Sequence, residues 1–126
     1  MSRGLKITFL VHAFVGLVFG LVLSLVPATW ATLANWIPFD ATVTRLYGTV
    51  LLGLCVSSWL GYRATRWDEV RIVVQMEIVL TVLGGLIGLY SALFAGAPPF
   101  IWVSIVIYLG FAIAWIYFYR QATPER

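Results

Sequence analysis

Apolar residues run almost unbroken from Leu5 to Val26, and three further runs follow over 41–62, 69–95 and 100–119. None shows the one-sided stripe of a soluble amphipathic helix. About 20 residues at 1.5 Å each cover a hydrocarbon core ~30 Å thick, so the pattern predicts four helices that cross a bilayer. The first run stops at Pro27. The next stretch, 28–36, mixes Trp30 and Trp36 with Thr29, Thr32 and Asn35. That mixture suits the headgroup layer and predicts a short helix lying along the membrane surface, with Pro27 in its first turn and Ile37-Pro38 at its end. Asp40 is placed to cap the second span, and Asp68 the third, with Glu69 in the first turn where the helix dipole favours an acid. Gly96-Ala97-Pro98-Pro99 turns the chain tightly into the fourth span, and 120–126 form a short frayed tail. The expected fold is all-α: an integral membrane antiparallel four-helix bundle with a short interfacial helix between helices 1 and 2, built as one domain over residues 1–126.

Composition agrees with that reading, since 62% of the residues are hydrophobic and only 10% charged, where a soluble domain carries about a quarter. The eight basic side chains are distributed unevenly. Arg3 and Lys6 precede or open the first span, Arg63, Arg66 and Arg71 surround the connection between the second and third, and Arg120 and Arg126 follow the fourth; Arg45 alone lies on the opposite side. This bias places both termini and the 63–71 connection in the cytoplasm, which makes the expected location the inner (cytoplasmic) membrane of a bacterium or archaeon, crossed several times. Arg3 and Lys6 followed by an apolar run also resemble a secretory signal. That run is too long for one, and Pro27-Ala28-Thr29 is a poor cleavage site, so an uncleaved helix is expected. The net charge of +3 is not arranged as a nucleic-acid surface, because no basic patch is interleaved with exposed aromatics. With one histidine and one cysteine, Cys55, the chain has no disulfide, no CxxC pair and no conventional metal or two-histidine haem site, and no cofactor is expected.

Helices in lipid associate through close backbone approach at small residues. Gly16 and Gly20, with Ser24 beyond, form one such stripe, and Gly84 and Gly88 another. Each is read as packing within the chain, with a dimer face as the alternative. Trp59, Tyr62, Trp67, Trp115, Tyr117 and Tyr119 lie near helix ends and are expected to form an interfacial aromatic belt.

His12 and Glu77 are the two ionisable groups set well inside apolar runs. A charge at that depth costs ~2.5 kcal/mol or more on insertion scales, which makes each a candidate site residue. His12 follows Lys6 by six positions and Glu77 follows Arg71 by six, so both lie about 9 Å inward along helices running the same way. His12 shares a helix face with Gly16 and Gly20, and Glu77 with Thr81, Gly84 and Gly88. Both are therefore expected to face the packed interior as a pair, either binding a polar group and exchanging a proton or serving only as a structural contact. Tyr108 and Ser104 are further inward hydroxyls, Ser57 and Ser58 lie near the cytoplasmic end of the second span, and Gln75 faces away from Glu77, toward another helix. At the outer end, Arg45 either bridges to Asp40, reaches phosphate, or forms an anion site.

A glycine-bearing first helix closed by Pro27, an interfacial segment, then Arg45-Leu46-Tyr47-Gly48 entering a helix with Leu51-Leu52-Gly53: this layout resembles the DoxX-like group of small four-helix bacterial membrane proteins. The resemblance implies the same helix layout, and in some relatives thiol- or quinone-linked electron transfer, for which the single Cys55 supplies no thiol pair. The small multidrug exporters have a similar size, but their membrane glutamate lies in the first helix, where this chain has His12. No catalytic residue is assigned. The expected function is non-enzymatic: an accessory subunit or a binder of an apolar, lipid-like ligand, with His12 and Glu77 lining a polar pocket in the cytoplasmic half. The alternative is a proton-coupled small-solute carrier or a lipid- or quinone-modifying enzyme using the same pair. Expected partners are membrane lipid and, beyond it, a homo-oligomer or a larger membrane complex.

Overall fold

The computed structural model describes residues 1–122 and is helical throughout apart from short connections. The elements are α1 (Arg3–Leu25), α2 (Pro27–Leu33), α3 (Ala41–Arg63), α4 (Trp67–Phe94) and α5 (Ile101–Gln121). Among the described residues, α1, α3, α4 and α5 are long and apolar enough to cross a membrane. The 120–126 tail lies beyond the described residues from position 123 on.

Local chemistry sets the boundaries. Ser2 Oγ accepts from the Leu5 amide at 3.2 Å, so α1 begins ahead of the apolar run. Asp40 Oδ1 accepts from the Val43 amide at 2.8 Å and caps α3. The expected cap at Asp68 is corrected: α4 already starts at Trp67, and Asp68 lies in its first turn, 3.8 Å from Arg66 in an exposed ion pair. Glu69 does the terminating work, because from the third helical position its carboxylate reaches back to the Thr65 amide at 3.0 Å and the Arg66 amide at 3.3 Å. The short helix expected over 28–36 spans Pro27–Leu33 instead. Asn35 takes the left-handed conformation at φ 51°, and the amides of Asn35 and Trp36 fold back onto the carbonyls of Thr32 and Ala31 at 3.2 and 2.8 Å. This closes α2 two residues before Asn35, which Asn tolerates better than other residues with a Cβ.

Helix packing divides the chain into two intimate pairs, α1 with α3 and α4 with α5. α1 also touches α5, whereas α3 and α4 make few direct contacts. Contacts that climb α1 descend α3: Phe9 meets Gly61, His12 meets Ser58, and Gly20 meets Gly48. The approach is backbone to backbone, since a Cβ on Gly48 would stand 2.7 Å from the Ser24 amide nitrogen and 3.0 Å from the Gly20 carbonyl oxygen. On α4, Gly84 and Gly88 receive Tyr108 and Ile105 of α5. Both small-residue stripes are thus occupied by helices of the same chain.

The core is lopsided. Leu5, Phe9, Trp67, Val70, Val74 and Trp115 pack together at the end that carries the termini. Trp115 and Trp67 therefore do not belong to an exposed belt: Trp115 is 0% accessible, with its ring 4.9 Å from that of Phe9. Near a helix end in sequence, each is nonetheless packed against a ring of another helix, Trp115 against Phe9 and Trp67 against Tyr119. The outer faces are apolar instead, with Phe14, Ile72, Val106 and Ile113 among many exposed hydrophobic side chains.

Candidate functional site

One turn beyond Phe9, α1 presents His12 to the interior, where three helices meet it. Its Nδ1 lies 2.7 Å from Ser58 Oγ on α3. Its Nε2 faces Glu77 Oε2 on α4 at 3.6 Å, within ion-pair range and beyond hydrogen-bond range. Phe111 and Trp115 of α5 set their rings against the imidazole at 4.6 and 5.6 Å, both edge to face. The structure thus brings together the two residues that equal spacing from Lys6 and Arg71 places at one height.

Glu77 is 0% accessible, and neither carboxyl oxygen accepts a hydrogen bond among the described residues. Thr81 follows one turn later, but its hydroxyl donates to the Glu77 backbone carbonyl at 2.6 Å and does nothing for the carboxyl. A lone charge in such surroundings is prohibitively expensive, whereas a net-neutral pair is tolerable. Imidazolium with carboxylate, and imidazole with carboxylic acid, hold the same number of protons. The two forms differ only in which partner holds one proton, and from 3.6 Å the two atoms must approach before that proton can pass between them.

Above the pair the interior is hollow. A cavity of about 570 Å³ runs from His12 to the end closed by α2. Val15, Phe19, Leu51, Leu80 and Ile107 form much of its wall, and Trp30, Trp36, Phe39 and Phe100 surround its far end. It lies between the two helix pairs, lined by both α3 and α4, which make few direct contacts. The hollow therefore extends away from the termini, whereas the sequence reading set the pocket in the half that carries them. That half is filled by the aromatic and valine core.

The remaining candidates separate clearly. Tyr108 and Ser104 line the cavity, as do Gly16, Gly84 and Gly88; Gly20 is covered by Leu52. Tyr108 meets Tyr47 hydroxyl to hydroxyl. Asp40 stands at the α2 end of the cavity while capping α3. Arg45 is exposed and makes no ion pair among the described residues, so the bridge to Asp40 is not formed. Gln75 turns to α5 and donates to Tyr119 Oη at 2.9 Å.

Three participants carried too little signal to be assigned. Ser58 was one of two adjacent serines, and only the register of α1 on α3 selects it. Tyr47 looked like part of a helix entrance, because its partner lies on a helix far away in sequence. Phe111 is one apolar residue among many, distinguished only by standing one turn before Trp115. Among the described residues no three His, Cys, Asp or Glu side chains gather as metal ligands. Comparison with protein-family models, curated proteins and solved structures gave no match.

Proposed function

We propose that this chain is an integral membrane protein whose four long helices form an antiparallel bundle across a bacterial or archaeal inner membrane, with both termini cytoplasmic, and that it binds an apolar, lipid-like molecule without transforming it. The apolar exterior supports insertion, because a large contiguous apolar surface is costly in water and costs nothing against acyl chains. The basic residues around 3–6 and 63–71 support the orientation. The binding role rests on one observation: a half-open cavity of about 570 Å³, walled mainly by aliphatic and aromatic side chains and ending at His12, of the size and lining that ligand sites have.

The pair gives a second reading its own support. Contrary to the expectation that both residues line the pocket, Glu77 is fully buried behind the cavity wall, 3.6 Å from His12, which does line it; a proton-coupled carrier or a lipid-modifying enzyme would exchange the Glu77 proton through that imidazole. One variant separates the readings in reconstituted vesicles. In Glu77→Gln, saturable uptake of an alkyl-chain probe persists if the chain is a binder, with only the unfolding midpoint lowered. Loss of a pH-dependent flux from a protein that still folds establishes the carrier. Absence of saturable binding in the unaltered protein overturns the binding role.

A further inference from the structure

Resting on that binding role, we infer what class of molecule the cavity takes: an uncharged amphiphile whose polar part is a single hydroxyl or carbonyl oxygen, held at the Tyr47–Tyr108 hydroxyl pair with its hydrocarbon against Val15, Leu51, Leu80 and Ile107. Three features of the wall carry this.

The first is charge. Of the described residues that line the cavity, Asp40 is the only one with a permanent charge, and no lysine or arginine is among them. An anionic headgroup would be stripped of water with no cation to receive it, past a carboxylate at the cavity end. His12 Nε2 is turned toward the Glu77 carboxyl, so the imidazole offers an anion no free cation either.

The second is the tyrosine pair. Tyr47 comes from α3 and Tyr108 from α5, helices whose backbones do not meet, so the hydroxyls join across the hollow. Two hydroxyls sharing one hydrogen bond use one of their two hydrogens. The other hydrogen has no acceptor among the described residues, and lone pairs remain free. The Thr44, Thr81 and Ser91 hydroxyls on the same wall donate to backbone carbonyls one turn earlier, so the tyrosine pair, with Ser104 one turn from Tyr108, offers a free donor with adjacent acceptors, which matches one oxygen.

The third is the floor. His12 Nδ1 is engaged by Ser58 and Nε2 is turned to Glu77, so the open polar groups of the wall are the tyrosine pair with Ser104 one turn away on α5, and the unpaired Trp30 indole N–H at the far end.

The test uses the full chain in nanodiscs, with Trp59 and Trp102, both about half exposed, replaced by phenylalanine. Trp30 and Trp36 then report from the cavity wall, over a background from Trp67 and Trp115, which are buried in the packed half. Brominated alkyl probes of equal length carry a hydroxyl, a sulfate, a trimethylammonium or no headgroup, and saturable quenching gives each affinity. The alcohol is expected to bind at least roughly tenfold tighter than the sulfate, given the cost of an unpaired buried charge. Tyr108→Phe and Tyr47→Phe, which keep the rings, are expected to weaken the alcohol roughly two- to tenfold and leave the headless probe unchanged. Sulfate or trimethylammonium binding as tightly as the alcohol overturns the inference, as does alcohol affinity unmoved in both tyrosine variants. If no probe quenches saturably, the binding role itself fails, which is a different outcome from failed selectivity.

Discussion

An imidazole with a hydroxyl at one nitrogen and a carboxyl at the other has its proton placement set by those two neighbours. Ser58 is 0% accessible and its hydroxyl touches His12 Nδ1, so Ser58→Ala leaves that nitrogen without a partner in the interior. The expected loss is about 1 kcal/mol, the size of a typical hydrogen bond between helices in lipid, read as a lowered midpoint of unfolding in mixed micelles. A double-mutant cycle with His12→Ala isolates the contact, and a coupling energy of zero would remove Ser58 from the site. The same residues show what sequence can disclose. His12 and Glu77 were legible because each is a polar residue in an apolar run, and equal offsets from Lys6 and Arg71 set them at one height. Ser58 was not, because its importance depends on which residue of α1 stands opposite it. Trp115 misled for a related reason: four residues from the predicted end of its span, it looks interfacial, yet Phe9 and His12 lie against it.

At the scale of the helix, glycines divide by what faces them. A Cβ on Gly48 would meet backbone atoms of Ser24 and Gly20, which cannot swing aside as a side chain can, while Gly53 and Gly110 have nothing within 4 Å. Gly48→Val is therefore expected to force α1 and α3 apart and to cost about 1–3 kcal/mol, as overpacking does. Gly53→Ala and Gly110→Ala are expected to be neutral or to stabilise by up to about 1 kcal/mol, because alanine is the better helix former and fills open space. Unfolding midpoints of the three variants check this, and a Gly48→Val protein as stable as Gly53→Ala would refute the close approach. The spacing of Gly16 with Gly20, and of Gly84 with Gly88, marked packing faces without saying which helix each face meets. Four runs of similar apolarity carry no label for their partners. Side-chain volume decides that, as when the Tyr108 ring settles over Gly84 and the Phe9 ring over Gly61. Helix ends were more legible where one side chain governs, as at Asp40. They were less so at 66–69, where two acids compete and the one able to reach backward prevails.

Across the whole molecule, the four spans and the charge asymmetry are visible in the hydropathy pattern, but the division into a packed half and a hollow half is not. It arises from where large rings fall once the helices are paired: Phe9, Trp67 and Trp115 fill the end with the termini, and nothing comparable fills the space above His12. This division makes opposite predictions for the same kind of substitution. Val74 is 0% accessible within the packed half, so Val74→Trp has no room and is expected to destabilise by about 1–3 kcal/mol or more. Val15 borders the cavity of about 570 Å³, so Val15→Trp can project its indole into open space, gaining dispersion contacts without displacing neighbours. Its unfolding midpoint is expected to match or exceed that of the unaltered protein, while saturable binding of an alkyl-chain probe falls away because the indole occupies the probe's place. The paired measurement, stability and binding on each variant, distinguishes a hollow built for an occupant from a loosely packed core. A loose core would collapse around either indole alike, and both variants would then show the same stability.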